Sequence, residues 1–148
     1  MTLYFPDLNI WLALSVAGHT HRLVAVNWLA CLAANDRLIF SRYTQLGMLR
    51  LLTNPAVMGD QLLTLKEAWE AYDRWLEDPR VEFYPEPRGV DSSFRKITRP
   101  FASQPASKAI GDCWLLAFAA GIQATLVTFD RALYGQAKKL GHSAAIPA

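Results

Sequence analysis

Four short runs rich in β-branched and aromatic residues, TLYF (2–5), RLIFS (37–41), VEFYP (81–85) and ATLVTF (124–129), are separated by segments with helical patterning. SAAIP (143–147) fits as a last short strand. This alternation constrains the fold more than any other feature. Strands joined through helices pair in parallel, and a parallel sheet needs helices to cover it. The expected class is therefore α/β, a sandwich around a mostly parallel central sheet. No repeat and no long linker divides the chain, so residues 1–148 are expected to form one domain. With 52% hydrophobic and 19% charged residues, the chain can bury a sizeable core and is not of the disordered class.

The connecting segments read as follows. PDLNIWLALSV (6–16) is a helix with Asp7 at its start. HRLVAVNWLACLAAN (21–35) is a second, with Leu23, Val26, Leu29 and Ala30 on one face. RYTQLGMLRLLTN (42–54) is a third, closed by Asn54 and Pro55. TLKEAWEAYDRWLEDP (64–79) opens with Thr64 and Glu67 in capping-box spacing. Its stripe of Trp69, Tyr72, Trp75 and Leu76 suits core or subunit contact rather than a cofactor. EPRGVDSSFRKITRPFASQP (86–105), rich in Pro, Arg and Ser, is expected as loop with one short helix from Asp91. PASKAIGDCWLLAFAAG (105–121) is a helix with Pro105 near its first turn and Gly121 beyond its end, and DRALYGQAKKL (130–140) is another.

No uninterrupted apolar run approaches the ~20 residues of a spanning helix, so no membrane association is expected. The segment MTLYFPDLNI has neither a basic n-region nor a cleavage-type site, which speaks against a secretory leader. Cys31 and Cys113 lie in apolar helical patterns without CxxC spacing. They read as buried free thiols of a cytoplasmic protein. His19, His21 and His142 have no zinc-type spacing.

The net charge of +2 conceals an uneven distribution. Residues 60–91 carry nine of the thirteen acids, and the remainder of the chain has eleven bases against Asp7, Asp36, Asp112 and Asp130. Asp36 belongs to an Asn-Asp turn. Three acids are left in apolar settings on a basic background. That pattern suits a site that holds a cation and attracts a polyanion.

In doubly wound sheets, sites form beyond the carboxyl ends of the strands. Asp7 follows the first strand, Asp130 follows TLVTF, and Asp112 lies on the helix leading into that strand. Two readings compete. Capping accounts for Asp7 and Asp130 one at a time, but poorly for Asp112, which is not expected at a helix start. A shared divalent cation accounts for all three, since a cluster of like charges is unstable alone. A phosphatase of the haloacid-dehalogenase type would need a second Asp two residues after Asp7, and that position is Asn9.

FPDLNIWLAL, HTHRLVAVNWL, RYTQLGMLRLLTNP, IGDCWLLAFAAG and TLVTFDRAL, in this order along nearly the whole chain, resemble the PIN-domain family in its VapC-type toxin branch. The resemblance implies a compact three-layer α/β/α sandwich and an endoribonuclease using Mg²⁺, with Mn²⁺ as a substitute. It also implies a VapB-type antitoxin that occludes the site, and a homodimer. Asp7, Asp112 and Asp130 match the family's acidic metal ligands, Thr128 the hydroxyl of its T-x-D motif, and Asn9 the polar residue of D-x-N. Gln45 falls where many relatives carry Glu, so the resemblance makes it a neutral catalytic amide.

Such an enzyme would attack an RNA phosphodiester in line, with metal-activated water. Arg95, Lys96, Arg99, Lys108 and Arg131 are candidate contacts to the RNA backbone, or else a solvated basic loop. Lys108 and Asp112, four apart, could equally form an ion pair. Arg50 is expected to snorkel or pair with an acid near the site. The alternative to a nuclease is an RNA- or protein-binding module that keeps this fold with little or no activity.

Overall fold

The computed structural model describes residues 1–148. Strands β1 (Leu3–Pro6), β2 (Arg37–Phe40), β3 (Val81–Phe83), β4 (Thr125–Val127) and β5 (Ala144–Ala145) form one sheet in the order β3-β2-β1-β4-β5. Every pairing is parallel. The helices are α1 (Leu8–Ser15), α2 (Arg22–Ala30), α3 (Arg42–Leu52), α4 (Pro55–Met58), α5 (Leu65–Glu77), α6 (Val90–Thr98), α7 (Ala109–Gly121) and α8 (Arg131–Lys139). No helix is long and apolar enough to cross a membrane.

The layers follow from the two-residue period of the strands. In β2, Leu38 and Phe40 point to one face and Ile39 to the other. Leu38 and Phe40 join a core with Trp11 of α1, Met48 of α3 and Tyr72 of α5. Ile39 joins Phe5 and Leu126 in a second core against Leu116 of α7 and Leu133 of α8. Two apolar cores on opposite faces of one sheet make the three-layer α/β/α sandwich.

Strand order positions the site. From β1 the chain winds outward through β2 to β3, then crosses back to lay β4 on the other side of β1. The reversal opens a crevice beyond the carboxyl ends of β1 and β4, where doubly wound folds hold their ligands. Thr64 and Glu67 form the reciprocal capping box on α5 that their spacing suggests, and Ser41 and Thr44 form a further one on α3. Asp36 makes its expected turn, accepting from Ala33 N, and also ties down the chain start by accepting from Thr2 N.

The structure refines one expectation, the short helix from Asp91, and corrects four others. Most of 90–101 is helical: α6 runs Val90–Thr98, followed by a 3₁₀ turn at Arg99–Phe101. Val90 and Ile97 anchor it against α7, and this amphipathic spacing outweighs the local Pro, Arg and Ser. Helix α7 begins at Ala109, past Pro105, and Gly121 is its last residue rather than its cap. On α2, Leu23 and Val26 face solvent and only Ala25 is fully buried. Cys31, at the end of α2, is exposed, while Cys113 is buried as expected; both are free. Asn54 does not close α3 but caps α4, with Pro55 at that helix's first position.

Candidate active site

Asp7 ends β1 and starts α1. Its amide donates to Val127 O at 2.9 Å, extending the β1–β4 ladder by one bond. Its Oδ1 accepts from Ile10 N at 3.1 Å and so caps α1. Its Oδ2 accepts from Thr128 Oγ1 at 2.5 Å. The carboxyl is only 5% exposed. Burial pushes its pKa up to about 6 despite these hydrogen bonds, and the nearby charge of Asp112 adds to the rise.

Thr128 is fully buried and works in two directions. While donating to Asp7, its Oγ1 accepts from Asp130 N at 2.9 Å. The T-x-D spacing is thereby explained: one hydroxyl joins the end of β1 to the start of α8. Asp130 in turn caps α8, its Oδ1 accepting from Ala132 N (2.9 Å) and Leu133 N (3.1 Å). Oδ2 of Asp130 is left free toward solvent. Asp130 itself is exposed, contrary to an apolar setting for all three acids.

Asp112 lies in the first turn of α7, because that helix starts four residues later than the sequence suggests. Position near a helix N-terminus therefore does favour it. It nevertheless caps nothing, and no base pairs with it. Lys108, four residues earlier, is exposed and forms no ion pair. Partial burial, and next the charge of Asp130, hold the Asp112 carboxyl above the ordinary carboxylate range.

Asp7, Asp112 and Asp130 line one cleft of about 200 Å³ together with Asn9, between walls formed by Tyr43, Leu51, Leu115 and Leu133. The sequence-predicted acids do converge, then, and no Lys or Arg lines the cleft with them. No three His, Cys, Asp or Glu side chains are drawn together as a ready-made cage. In keeping with this, Asp7 Oδ2 is turned to Thr128 and Asp130 Oδ1 to its helix. The donor set still fits a hard cation that keeps several waters and takes few protein oxygens. Free lone pairs remain on all three carboxylates, and their mutual repulsion has no other partner to relieve it.

Gln45 is not in this group. It is buried on α3, where Oε1 accepts from Arg42 Nη1 at 2.5 Å and the side chain lies close enough to the Tyr72 hydroxyl to act on its titration. Gln45, expected as a catalytic amide, does not line the cleft with the acids: α3 turns another face to it. Tyr43 and Leu51 lie on that face, and Gly47 is midway between them at the same four-residue spacing. A Cβ on Gly47 would lie 2.3 Å from Leu8 Cδ2, so Leu8 fills the notch that this glycine leaves. No acid from α3 reaches the site. Tyr43 is a wall residue that sequence reasoning missed; its hydroxyl lies 2.5 Å from where a Cβ on Gly111 would be. The signal available was the run Tyr43, Gly47, Leu51 at helical spacing.

None of the basic candidates lines the acid cleft. Arg95 pairs with Asp91 at 2.9 Å on the surface. Lys96, Arg99, Lys108 and Arg131 are exposed. Arg50 is exposed as well and pairs with no acid. Arg95 and Arg99 border a second cavity, of about 490 Å³, between α6 and α7.

A parallel sheet wound 3-2-1-4-5, with carboxylates at the switch point, defines a doubly wound α/β protein with an acidic site in its crevice. The sequence profile described as "PIN domain" matches residues 4–139. Ribonuclease VapC41 of Mycobacterium tuberculosis is 40% identical over 130 residues, covering 85% of this chain and 88% of that protein. The chain belongs to the PIN-domain family, in its VapC branch. Among solved structures, VapBC-1 from nontypeable Haemophilus influenzae superposes with a TM-score of 0.73 at 16% identity, covering 98% of each chain. VapBC2 from Rickettsia felis, bound to a DNA fragment from its promoter, gives 0.70 at 15% identity over 98% of each. At these identities the likeness is one of fold.

Proposed function

We propose that this protein is an endoribonuclease toxin that hydrolyses RNA phosphodiester bonds with Mg²⁺ or Mn²⁺ and is inhibited by a VapB-type antitoxin. The observation that carries the reading is the convergence of three carboxylates, none paired with a base, at the β1–β4 switch point. The 40% identity to a ribonuclease supports the chemistry.

Asp7, Asp112 and Asp130 are the residues that would hold the cation. When bound, it supplies an activated water and neutralises charge developing on the phosphate. Thr128 fixes the rotamer of Asp7 and, through the Asp130 amide, the start of α8. Asn9 places an uncharged amide at the cleft, able to bond a phosphate oxygen without adding repulsion. Leu51, Leu115 and Leu133 keep the surroundings apolar and strengthen each electrostatic contact.

The antitoxin proposal draws on the solved relatives, described as VapBC and FitAB complexes, and on the apolar surface this chain leaves bare. Leu23 on α2 and Leu46 on α3, 72% and 50% exposed, are apolar side chains available to such a contact. We extend the proposal to a cytoplasmic homodimer. The second reading, a binding module with weak or no activity, is favoured by one observation: Gly47 supplies no acid where α3 faces the cleft.

Incubation of partner-free protein with RNA in Mg²⁺, in Mn²⁺ and in EDTA tests the proposal. Cleavage in either metal, lost in EDTA and in Asp112→Asn, is expected. RNA that stays intact in both metals would favour the binding module.

A further inference from the structure

Helix α7 has two lined sides. Asp112 and Leu115 belong to the acid cleft, while Ala109, Ile110 and Cys113 line the cavity of about 490 Å³ on the α6 side. The remaining walls of that cavity include Phe101 of the 3₁₀ turn, with Arg95 and Arg99 at its rim. Its size is in the range of small-molecule sites, and its lining is of the same kind: mostly apolar, with a few fixed polar groups.

The two rim guanidiniums differ. Arg95 is engaged by Asp91, but Arg99 forms no ion pair. Lys96 on α6 and Lys108 at the start of α7 add positive charge nearby, and Asp91 is the only acid between residues 87 and 111. An anionic ligand is therefore expected over an apolar interior. Phe101 offers a half-buried ring, and the Cys113 thiol, buried and held above its usual pKa, is an inert polarizable surface rather than a nucleophile. An apolar cup with an aromatic ring and a guanidinium rim matches a nucleotide: the base enters the cup and the phosphate stays at the rim.

We propose that the cavity between α6 and α7 is a nucleotide subsite, which holds one unstacked base of the RNA while Arg99 holds its phosphate. This rests on the reading that the chain acts on RNA. The two sites share α7 as a wall, so they lie about one helix diameter apart, ~10 Å. A single strand can thus have one phosphate at the acids and a nearby base in the cup. The cup would then select unpaired RNA, since a base within a duplex cannot enter it.

Binding of a short labelled single-stranded RNA, measured by anisotropy in EDTA so that nothing is cut, tests the subsite. Wild type is compared with Arg99→Ala and with Ala102→Leu, which narrows the cup from an exposed position. Loss of a held base is expected to weaken binding roughly tenfold in each variant. Only Arg99→Ala should also flatten the log–log salt dependence, by about 0.7. In amide NMR spectra, a nucleoside monophosphate should shift Thr98, Ala102 and Cys113, while inorganic phosphate moves them less. Wild-type binding by both variants, in a protein that still cleaves RNA, would overturn the subsite and leave the nuclease reading intact. Binding through the cup without cleavage would support the subsite and overturn the nuclease. Amides that ignore nucleotides but shift with an antitoxin-derived peptide would make the cup a protein-docking site and overturn the proposal.

Discussion

Thr128 Oγ1 donates a 2.5 Å hydrogen bond to Asp7 Oδ2 across 121 positions of sequence. The bond opposes burial, favouring the charged carboxylate where desolvation favours the neutral one. Replacing Thr128 with Val keeps the shape and removes the donor. The pKa of Asp7, observed by NMR of its carboxyl carbon, should then rise above the present value of about 6. Stability should fall by about 1–3 kcal/mol, because the Asp130 amide loses its acceptor as well. An unchanged Asp7 pKa would show that the hydroxyl does not set its charge.

Asp7→Asn should stabilise the metal-free protein while ending cleavage. The folded-state pKa of Asp7, about 6, lies above the ordinary 3.8, so folding favours its proton. The contribution of Asp7 to stability is thus greatest below 3.8, falls as pH rises to about 6, and stays low beyond. Above that window the charged form costs about 3 kcal/mol, an upper bound to what a neutral side chain regains. Urea denaturation at pH 8 should show the gain, and at pH 4 it should vanish. A variant less stable than wild type at pH 8 would contradict a repelled, desolvated carboxylate.

Asp112→Asn isolates the other member of the pair. Asp112 makes no hydrogen bond that the fold needs, so stability should change little. Removing its charge should lower the Asp7 pKa, since Asp112 contributes to the upward shift. Loss of RNA cleavage together with this titration shift would tie both acids to one cleft; a retained pKa would separate them.

Two substitutions on α3 distinguish its faces. Gln45→Glu should leave Mn²⁺ affinity unchanged in calorimetry, since this side chain contacts Arg42 and Tyr72 rather than the cleft. Gly47→Glu, made with Leu8→Ala to empty the notch, should tighten Mn²⁺ binding by adding an anionic oxygen. The reverse pattern would return Gln45 to the site.

The acids were legible because their positions depend on strand ends, which short β-branched runs mark well. Asp7 and Asp130 each stand where a strand stops and a helix needs a cap, and parallel winding brings the two together. The placement of Gln45 away from the cleft was not legible, for a geometric reason. A shift of two residues on a helix turns a side chain by about 200°, so family likeness without packing could not separate Gln45 from Gly47. The short helix expected from Asp91 is present as α6, but its extent was not legible, because its apolar contacts, Val90 and Ile97, are sparse among polar residues and become decisive only against α7. The solvent-facing Leu23 and Val26 mimic a buried stripe, and only the observed packing shows α2 leaning on Ala25 instead.

The β1–β4 pairing also bears on how such a chain is made. Asp7 emerges from the ribosome first, yet its strand partner and the Thr128 hydroxyl are synthesised about 120 residues later. Until then Asp7 has no neighbouring strand on that side, and Asp130 does not yet exist. An unfinished polypeptide therefore carries no assembled acid cleft. For an enzyme directed at RNA, the machinery that synthesises it is not exposed to the finished site until Thr128 and Asp130 have been added and have folded against Asp7.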